Sequence, residues 1–490
     1  MTTEALALIV FLPLLAAAGI IALPRSWMGL LVRVGLFPLP LLLVIPTLEV
    51  VRTGPFRVLL AGHESPLGIV WLLDPLSLLI LWLNIGITLL ISLHASFSFP
   101  PGQAFSGQGG DDRAQRFWPL WLILFASMNA LVLSADLFNI YVTLELVTLA
   151  AIGLIAIEGK PLALRAAMRY LLLALMASLL YLLGVGLIYG QTGVLDLYLI
   201  AERLEPAWLS ITALALMIVG LLIKSAIFPL HAWLPAAHGN APGPVSAILS
   251  AMVVKVSVYI VWRLWFWSAE AWDLESAAML MGLLGAAAII YGSLAALVQQ
   301  RLKMIVAYST VAQLGYLMLL FPLASTLAFQ AASYHLLSHG MAKAAMFLAA
   351  ANILRAMGTD RIKRLAGIDQ RLPLDVFALA LAGVSIMGLP PSGGFLAKWL
   401  FLEAAYEQEA WGWLVLVAAS GLLAAAYLFR VLAILCLHPR KRRQRTGRRR
   451  APNLASVAAI LLAAGAIMAG FASAPVLDLV EAGLPPGLAP

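Results

Sequence analysis

Apolar runs about twenty residues long recur along the whole chain, and they limit its fold more than any motif does. Each is long enough to cross a hydrocarbon core of about 30 Å as a helix. Helices satisfy their own backbone hydrogen bonds in lipid, so they are the expected spanning element. The runs give roughly fourteen spans. They lie near 5–22, 29–46, 68–95, 117–133, 136–157, 165–189, 208–235, 241–264, 275–299, 303–321, 326–354, 373–405, 411–437 and 453–473. Of 490 residues, 63% are hydrophobic and 11% charged, with mean hydropathy +0.97. A soluble chain would carry about a quarter charged residues. The expected class is an all-α polytopic membrane protein.

The N-terminal "MTTEALALIV" carries Glu4 and no early Lys or Arg. Without a basic n-region, the first run is expected to be a retained span, not a signal peptide. Cys436 is the single cysteine, which excludes an internal disulfide and a Cys-ligated iron–sulfur cluster. No cofactor is expected on this chain, and any coupled electron transfer belongs to a partner.

A net charge of +8 raises the question of nucleic acid, but its distribution argues against that partner. The densest basic run, "HPRKRRQRTGRRR" (438–450), sits between two spans and reads as a cytoplasmic loop touching anionic lipid. Lys160 and Arg165, Arg301 and Lys303, and Arg361, Lys363, Arg364 and Arg371 fall in the same phase. The opposite loops, such as "WSAEAWDLES" (267–276) and "YEQEAWG" (406–412), are acidic or mixed. With an even span count, both termini are expected outside the cytoplasm.

One loop looks soluble and flexible, the Gly-, Gln- and Ser-rich "SFPPGQAFSGQGGDDRAQRF" (98–117). Two spans look interrupted. Pro229 and Pro235 break the seventh, and "GLPPSGGFLAK" (388–398) breaks the twelfth, because proline removes a backbone donor and kinks a helix. Broken helices at matching places in two halves point to inverted repeats around an ion path at the midplane. The division is then 1–116 for the first three helices and loop, 117–264 for one repeat, 275–437 for the other, and 438–490 for the basic loop and final helix.

The chemistry lies in ionisable residues inside spans: Glu145 in "NIYVTLELVTLA", Lys224 in "LLIKSAIFPL", and Lys255 in "SAMVVKVSVY". His335, His339 and Lys343 follow in "YHLLSHGMAKAAMF", then Lys398 and Glu403 in the twelfth span. A charge at the bilayer centre costs at least about 2.5–3.5 kcal/mol. The central sites at Glu145, Lys224, Lys255, Lys343 and Lys398 would together cost on the order of 10 kcal/mol if left unpaired. They must pair, face water or lose their charge, and lysine can lose its charge on burial. His335, His339 and Lys343 stand four apart and line one helical face. Histidine exchanges protons near neutral pH, so the stripe reads as a proton wire.

Plainer readings apply to other residues. Arg263, near a helix end, is expected to snorkel. Lys303 is either a cytoplasmic anchor or part of the row. Asp74 and Asp136 stand where helix caps do. Arg430 is mid-span with no partner evident from sequence. Two histidines at i, i+4 can ligate metal, but no carboxylate or thiol lies nearby in sequence and a cationic Lys343 follows, so no metal is expected. Polar residues gluing helices together could account for one or two of these groups, not for a set spread over five spans.

At these residues the chain resembles the antiporter-like subunits shared by respiratory complex I, membrane-bound hydrogenases and Mrp-type cation/proton antiporters. The likeness rests on "DLFNIYVTLEL" (136–146), "IKSAIFPLHAWLPAAHGNAPGPVSAILSAMVVKVSVY" (223–259), "LKMIVAYSTVAQLGY" (302–316), "YHLLSHGMAKAAMFLAA" (334–350) and "GLPPSGGFLAKWL" (388–400). It implies fourteen helices with two inverted five-helix repeats, as in that family. It further implies a proton-transfer set of Glu145, Lys224, Lys255, His335, His339, Lys343 and Lys398, with Glu145 and Lys224 as an ion pair. The protein would sit with other membrane subunits in a prokaryotic cell membrane and move protons, with Na⁺ left open. The branch looks most like the D-type component of Mrp antiporters, with a complex I-type or hydrogenase component as the alternative. The tail after the last span is too short for the lateral helix of the largest complex I relative. Ala236, Arg301, Met304, Ser338 and Gly340 depart from the common pattern, which puts local loop contacts in doubt and not the charged row.

Overall fold

A computed structural model describes residues 2–63, 68–101, 112–268, 272–437, 453–485 and 488. The basic run 438–450, the middle of the 98–117 loop and the acidic stretch 269–271 lie outside the described residues. The chain opens with α1 (Thr2–Ala22), α2 (Met28–Leu36) and α3 (Leu39–Thr53), the last two separated at Phe37 and Pro38. A short antiparallel hairpin follows, β1 (Phe56–Leu59) with β2 (Val70–Leu73). The third apolar run is therefore not helical from residue 68. Its first residues pair as a strand, and the helix starts at Pro75.

That helix is α4 (Pro75–Ser98), capped by Asp74, which accepts from Ser77 N while the Ser77 hydroxyl accepts from Asp74 N. Next come α5 (Arg113–Leu133), α6 (Leu137–Ala156), α7 (Pro161–Thr192), the short α8 (Leu197–Arg203) and α9 (Trp208–Lys224). Asp136 caps α6 through Asn139 N. An interrupted stretch then carries α10 (Leu234–Asn240), α11 (Gly243–Ile248), a π-helical turn at Leu249–Val253, and α12 (Val254–Ser268).

The second half runs through α13 (Glu275–Val298), α14 (Leu302–Met318), α15 (Leu320–Leu323) and α16 (Thr326–Met357). It continues with α17 (Pro373–Met387), α18 (Gly393–Glu407), α19 (Trp411–Leu432), α20 (Asn453–Met468) and α21 (Ala474–Glu481). Among the described residues ten helices are long and apolar enough to cross a membrane, so the protein is a multi-pass membrane protein. Three shorter apolar helices accompany them: α9, α17 and Leu454–Met468 within α20. The helix α16 is as long as any, but its His and Lys residues dilute its apolar character. It is buried along most of its length and packs against α4, α11, α14, α17, α18 and α20, which puts it at the centre of the molecule.

The loops with basic residues meet at one end. Leu302 N donates to Asp360 O at 2.7 Å, and Ile362 N to Gln300 O at 2.9 Å. Arg301 reaches both carboxylate oxygens of Asp360 at 3.1 Å and the Gly239 carbonyl at 3.0 Å. Arg301 thus ties the loop before α14 to the loop after α16 and to the last turn of α10.

Candidate functional site

The helix α9 ends at Lys224 because the chain behind it cannot continue. Ala226 adopts a left-handed φ of 55°, and Pro229 lacks an N–H. The indole of Trp233 donates to the Ile223 carbonyl at 2.9 Å, joining Ala226 N, which reaches the same oxygen at 3.1 Å at this helix end. Lys224 is thereby placed at a helix C-terminus, where a cation is favoured. Its ammonium lies 3.0 Å from Glu145 Oε1 and donates to Thr148 Oγ1 at 2.9 Å. Glu145 and Thr148 stand one turn apart on α6, and the Ser178 hydroxyl of α7 donates to the same Glu145 oxygen. The lysine side chain is 4% exposed and the carboxylate 19%, so the pair is buried from one side only.

Lys255 opens α12 directly behind the π-helical turn. A widened turn loosens the ordinary i→i−4 ladder, and such turns recur at functional sites. The Lys255 ammonium folds back onto that turn, donating to the Ala251 carbonyl at 2.8 Å. Its side chain is fully buried. Lys343, also fully buried, donates to the Val306 carbonyl of α14 at 3.0 Å and to the Ser309 hydroxyl.

His335 and His339 stack with ring centroids 5.3 Å apart. His335 Nε2 bonds the Gln313 carbonyl at 3.0 Å, while neither ring nitrogen of His339 has a partner among the described residues. Tyr316 extends the stack. Its ring lies 5.0 Å from His335, and the Lys398 ammonium sits over it at 5.2 Å. Lys398 also donates to the Ile386 and Met387 carbonyls at 3.0 Å each, closing the C-terminal end of α17 across the break from α18. Gly388 makes room for it: φ is 78°, and a Cβ there would stand 2.5 Å from Lys398 Cδ.

The structure therefore brings the sequence-selected residues into two groups. Glu145 and Lys224 form one. His335, His339 and Lys398 form a stacked line, with Lys343 one turn beyond His339 on α16. The turn onto which Lys255 folds packs against α16 beside His339, where a Cβ on Gly340 would stand 3.3 Å from the Ala251 carbonyl oxygen. Among the described residues no direct hydrogen bond joins Lys224 to Lys255. Of the four lysines Lys224, Lys255, Lys343 and Lys398, Lys224 alone has a carboxylate partner among the described residues. The other three are held by carbonyls and hydroxyls. Glu403 is exposed, and among the described residues it pairs with none of these lysines. Among the described residues no three His, Cys, Asp or Glu side chains converge as a metal site would.

Two other expectations change, and a third residue, left open by the sequence, acquires a partner. Arg263 does not snorkel: it is buried and pairs with Asp74 at 2.6 Å, so Asp74 both caps α4 and holds this arginine. Arg430 has partners after all, the Leu297 and Gln299 carbonyls at the end of α13. Lys303, for which the sequence allowed either a cytoplasmic anchor or a place in the row, is buried at 2% exposure and donates to the Ala241 carbonyl at 2.6 Å. Sequence reading missed Tyr316, whose ring looks like any aromatic in an apolar run. It also missed His238, whose buried ring stacks at 4.6 Å on Phe347, one turn beyond Lys343 on α16.

Residues 134–424 match the family model described as NADH:quinone oxidoreductase/Mrp antiporter, transmembrane. A relative named NADH-quinone oxidoreductase subunit N, from Desulforudis audaxviator, is 37% identical over 389 residues, covering 78% of this chain and 75% of its own. The Na(+)/H(+) antiporter D subunit of Bacillus subtilis is 27% identical over 409 residues, covering 82% and 80%. In fold, a chain of the Mrp complex from Dietzia sp. superposes with a TM-score of 0.88 at 23% identity, over 98% of this chain and 96% of that one.

Proposed function

The chain belongs to the NADH:quinone oxidoreductase/Mrp antiporter transmembrane family, and on that premise we propose that it is a proton-translocating subunit of a multi-subunit membrane complex. The observation that carries the mechanism is the buried Glu145–Lys224 pair, set apart from lysines held only by carbonyls and hydroxyls. Glu145 holds a proton on Lys224. Displacing the carboxylate, through a partner's movement or an arriving ion, releases that proton. It passes by intervening water to Lys255, runs along His339 and His335 beside Lys343, and reaches Lys398, which exchanges with the far side. A ligand or partner can drive this only by favouring one of two arrangements of the pair.

In this proposal the chain crosses the membrane fourteen times, through the ten long apolar helices, the three shorter ones and α16. In this reading α9 with α10, and α17 with α18, are the broken members of two inverted repeats over 117–264 and 275–437. The segment 1–116 stands before them and 438–490 after. The basic loops face the cytoplasm of a prokaryotic cell, the run 438–450 touches anionic lipid, and both termini lie on the opposite side.

Two drives fit one wire. The likeness to the Bacillus subtilis antiporter D subunit supports a D-type antiporter component, whose partners are other Mrp-type membrane subunits and whose second ion is Na⁺. The 37% identity to a subunit N supports instead a component of a complex I-type oxidoreductase, with the redox centres in its partners. Proton flux measured in proteoliposomes holding the purified complex separates them. An antiporter acidifies or alkalinises in response to a Na⁺ gradient alone, and a redox pump responds only to electron donor and quinone. A complex that moves no protons under either drive refutes the proposal.

A further inference from the structure

A cavity of about 470 Å³ opens where Arg301 and Lys303 at the start of α14 meet the Gly239–Pro244 stretch and the C-terminal end of α16. Its walls include His94, Arg113, Lys160, Arg301, Lys303 and Arg355, against one carboxylate among the described residues, Glu158. Glu158 is taken by Lys160, and Asp360 beside the cavity is taken by Arg301. Backbone acceptors on the Gly239–Pro244 wall are used as well. Gly239 O accepts from Arg301 and Ala241 O from Lys303.

Donors, by contrast, are left over. The Lys303 ammonium has three N–H groups, and the described residues supply it one acceptor. Among the described residues Arg355 reaches one carbonyl, Phe97 O, at 3.3 Å. His94 is 3% exposed, with Nε2 bonded to Asn352 Oδ1 at 2.8 Å and Nδ1 without a protein partner among the described residues. A recess rich in cationic donors and poor in acceptors suits a tetrahedral oxyanion, for which Lys and Arg are the usual partners.

We infer that this cavity binds a phosphate-class anion, supplied either by the headgroup of an anionic phospholipid or by free phosphate. The site is built from residues separate from the 438–450 run and goes beyond the proton-transfer reading, so it can fail without that reading failing.

The test uses the whole complex in mild detergent. One arm reads its melting temperature against inorganic phosphate after delipidation. The other reads retained lipid by native mass spectrometry after exposure to phosphatidylglycerol or phosphatidylcholine. A response to inorganic phosphate assigns a free anion; preferential retention of phosphatidylglycerol without that response assigns a lipid headgroup. Lys303→Gln and the exposed Arg355→Gln, with assembly checked by size exclusion, are expected to weaken binding by about tenfold or more, the effect of losing a charge-assisted hydrogen bond. A loss in either assembled variant supports the site. Wild-type complex that ignores phosphate and does not prefer phosphatidylglycerol, or two variants that bind as the wild type does, overturns it.

Discussion

Replacing Glu145 with Gln removes a charge while keeping the shape that Ser178 and Lys224 pack against. At 3.0 Å, with an effective dielectric near 20, the Coulomb attraction between Glu145 and Lys224 is about 5.5 kcal/mol. The carboxylate is 19% exposed, so water shares it, and the loss falls toward about 3 kcal/mol, the lower end for breaking a buried pair. That corresponds to a shift on the order of 100-fold in how strongly Lys224 holds its proton. The assay is the initial rate of proton accumulation in inverted membrane vesicles, followed by quenching of a pH-sensitive dye, with assembly verified on native gels. Glu145→Gln is expected to slow transport at least about tenfold, allowing for partial compensation by Thr148. Glu145→Asp, which keeps the charge at a longer reach, should fall in between. Full assembly with wild-type transport in Glu145→Gln would refute the reasoning.

Three further outcomes follow from particular contacts. Gly388→Ala places a Cβ against Lys398 Cδ in a left-handed backbone; it should displace Lys398 from the α17 carbonyls and cut proton transport while the complex still assembles. Tyr316→Phe keeps the ring between His335 and Lys398 and loses only the hydroxyl shared with Ser420. It should cost about 1 kcal/mol of thermal stability with transport near wild type, whereas Tyr316→Leu should lower transport markedly. Arg263→Gln strands the buried Asp74 and should lower stability by about 3–5 kcal/mol. Part of that loss should return in the Asp74→Asn/Arg263→Gln double variant, read as melting temperature.

How much of this was legible depended on whether the signal was local. Apolar runs are local, so the helices could be read along most of the chain. Lysines and histidines are conspicuous in such runs, and their cost in lipid marked Lys224, Lys255, Lys343 and Lys398 directly. Prolines announced where α9 stops and where α17 parts from α18. The π-helical turn before Lys255 had no such herald, since "LSAMV" contains neither Pro nor Gly. The strand at Val70–Leu73 was hidden because an apolar strand and the start of an apolar helix look alike over four residues. Arg263 was misjudged because its partner, Asp74, is far away in sequence, and only tertiary packing brings them to 2.6 Å. Tyr316 was missed for the same reason: its role lies in what packs around its ring.

Transport by this route requires that groups deep in the membrane hand a proton to one another. A high-resolution cryo-EM map of the assembled complex tests this most directly, at the two His339 nitrogens that lack a partner among the described residues and in the interval between Lys224 and Lys255. Ordered waters bridging those groups are the predicted result. Apolar side chains packed there with no room for water would contradict it.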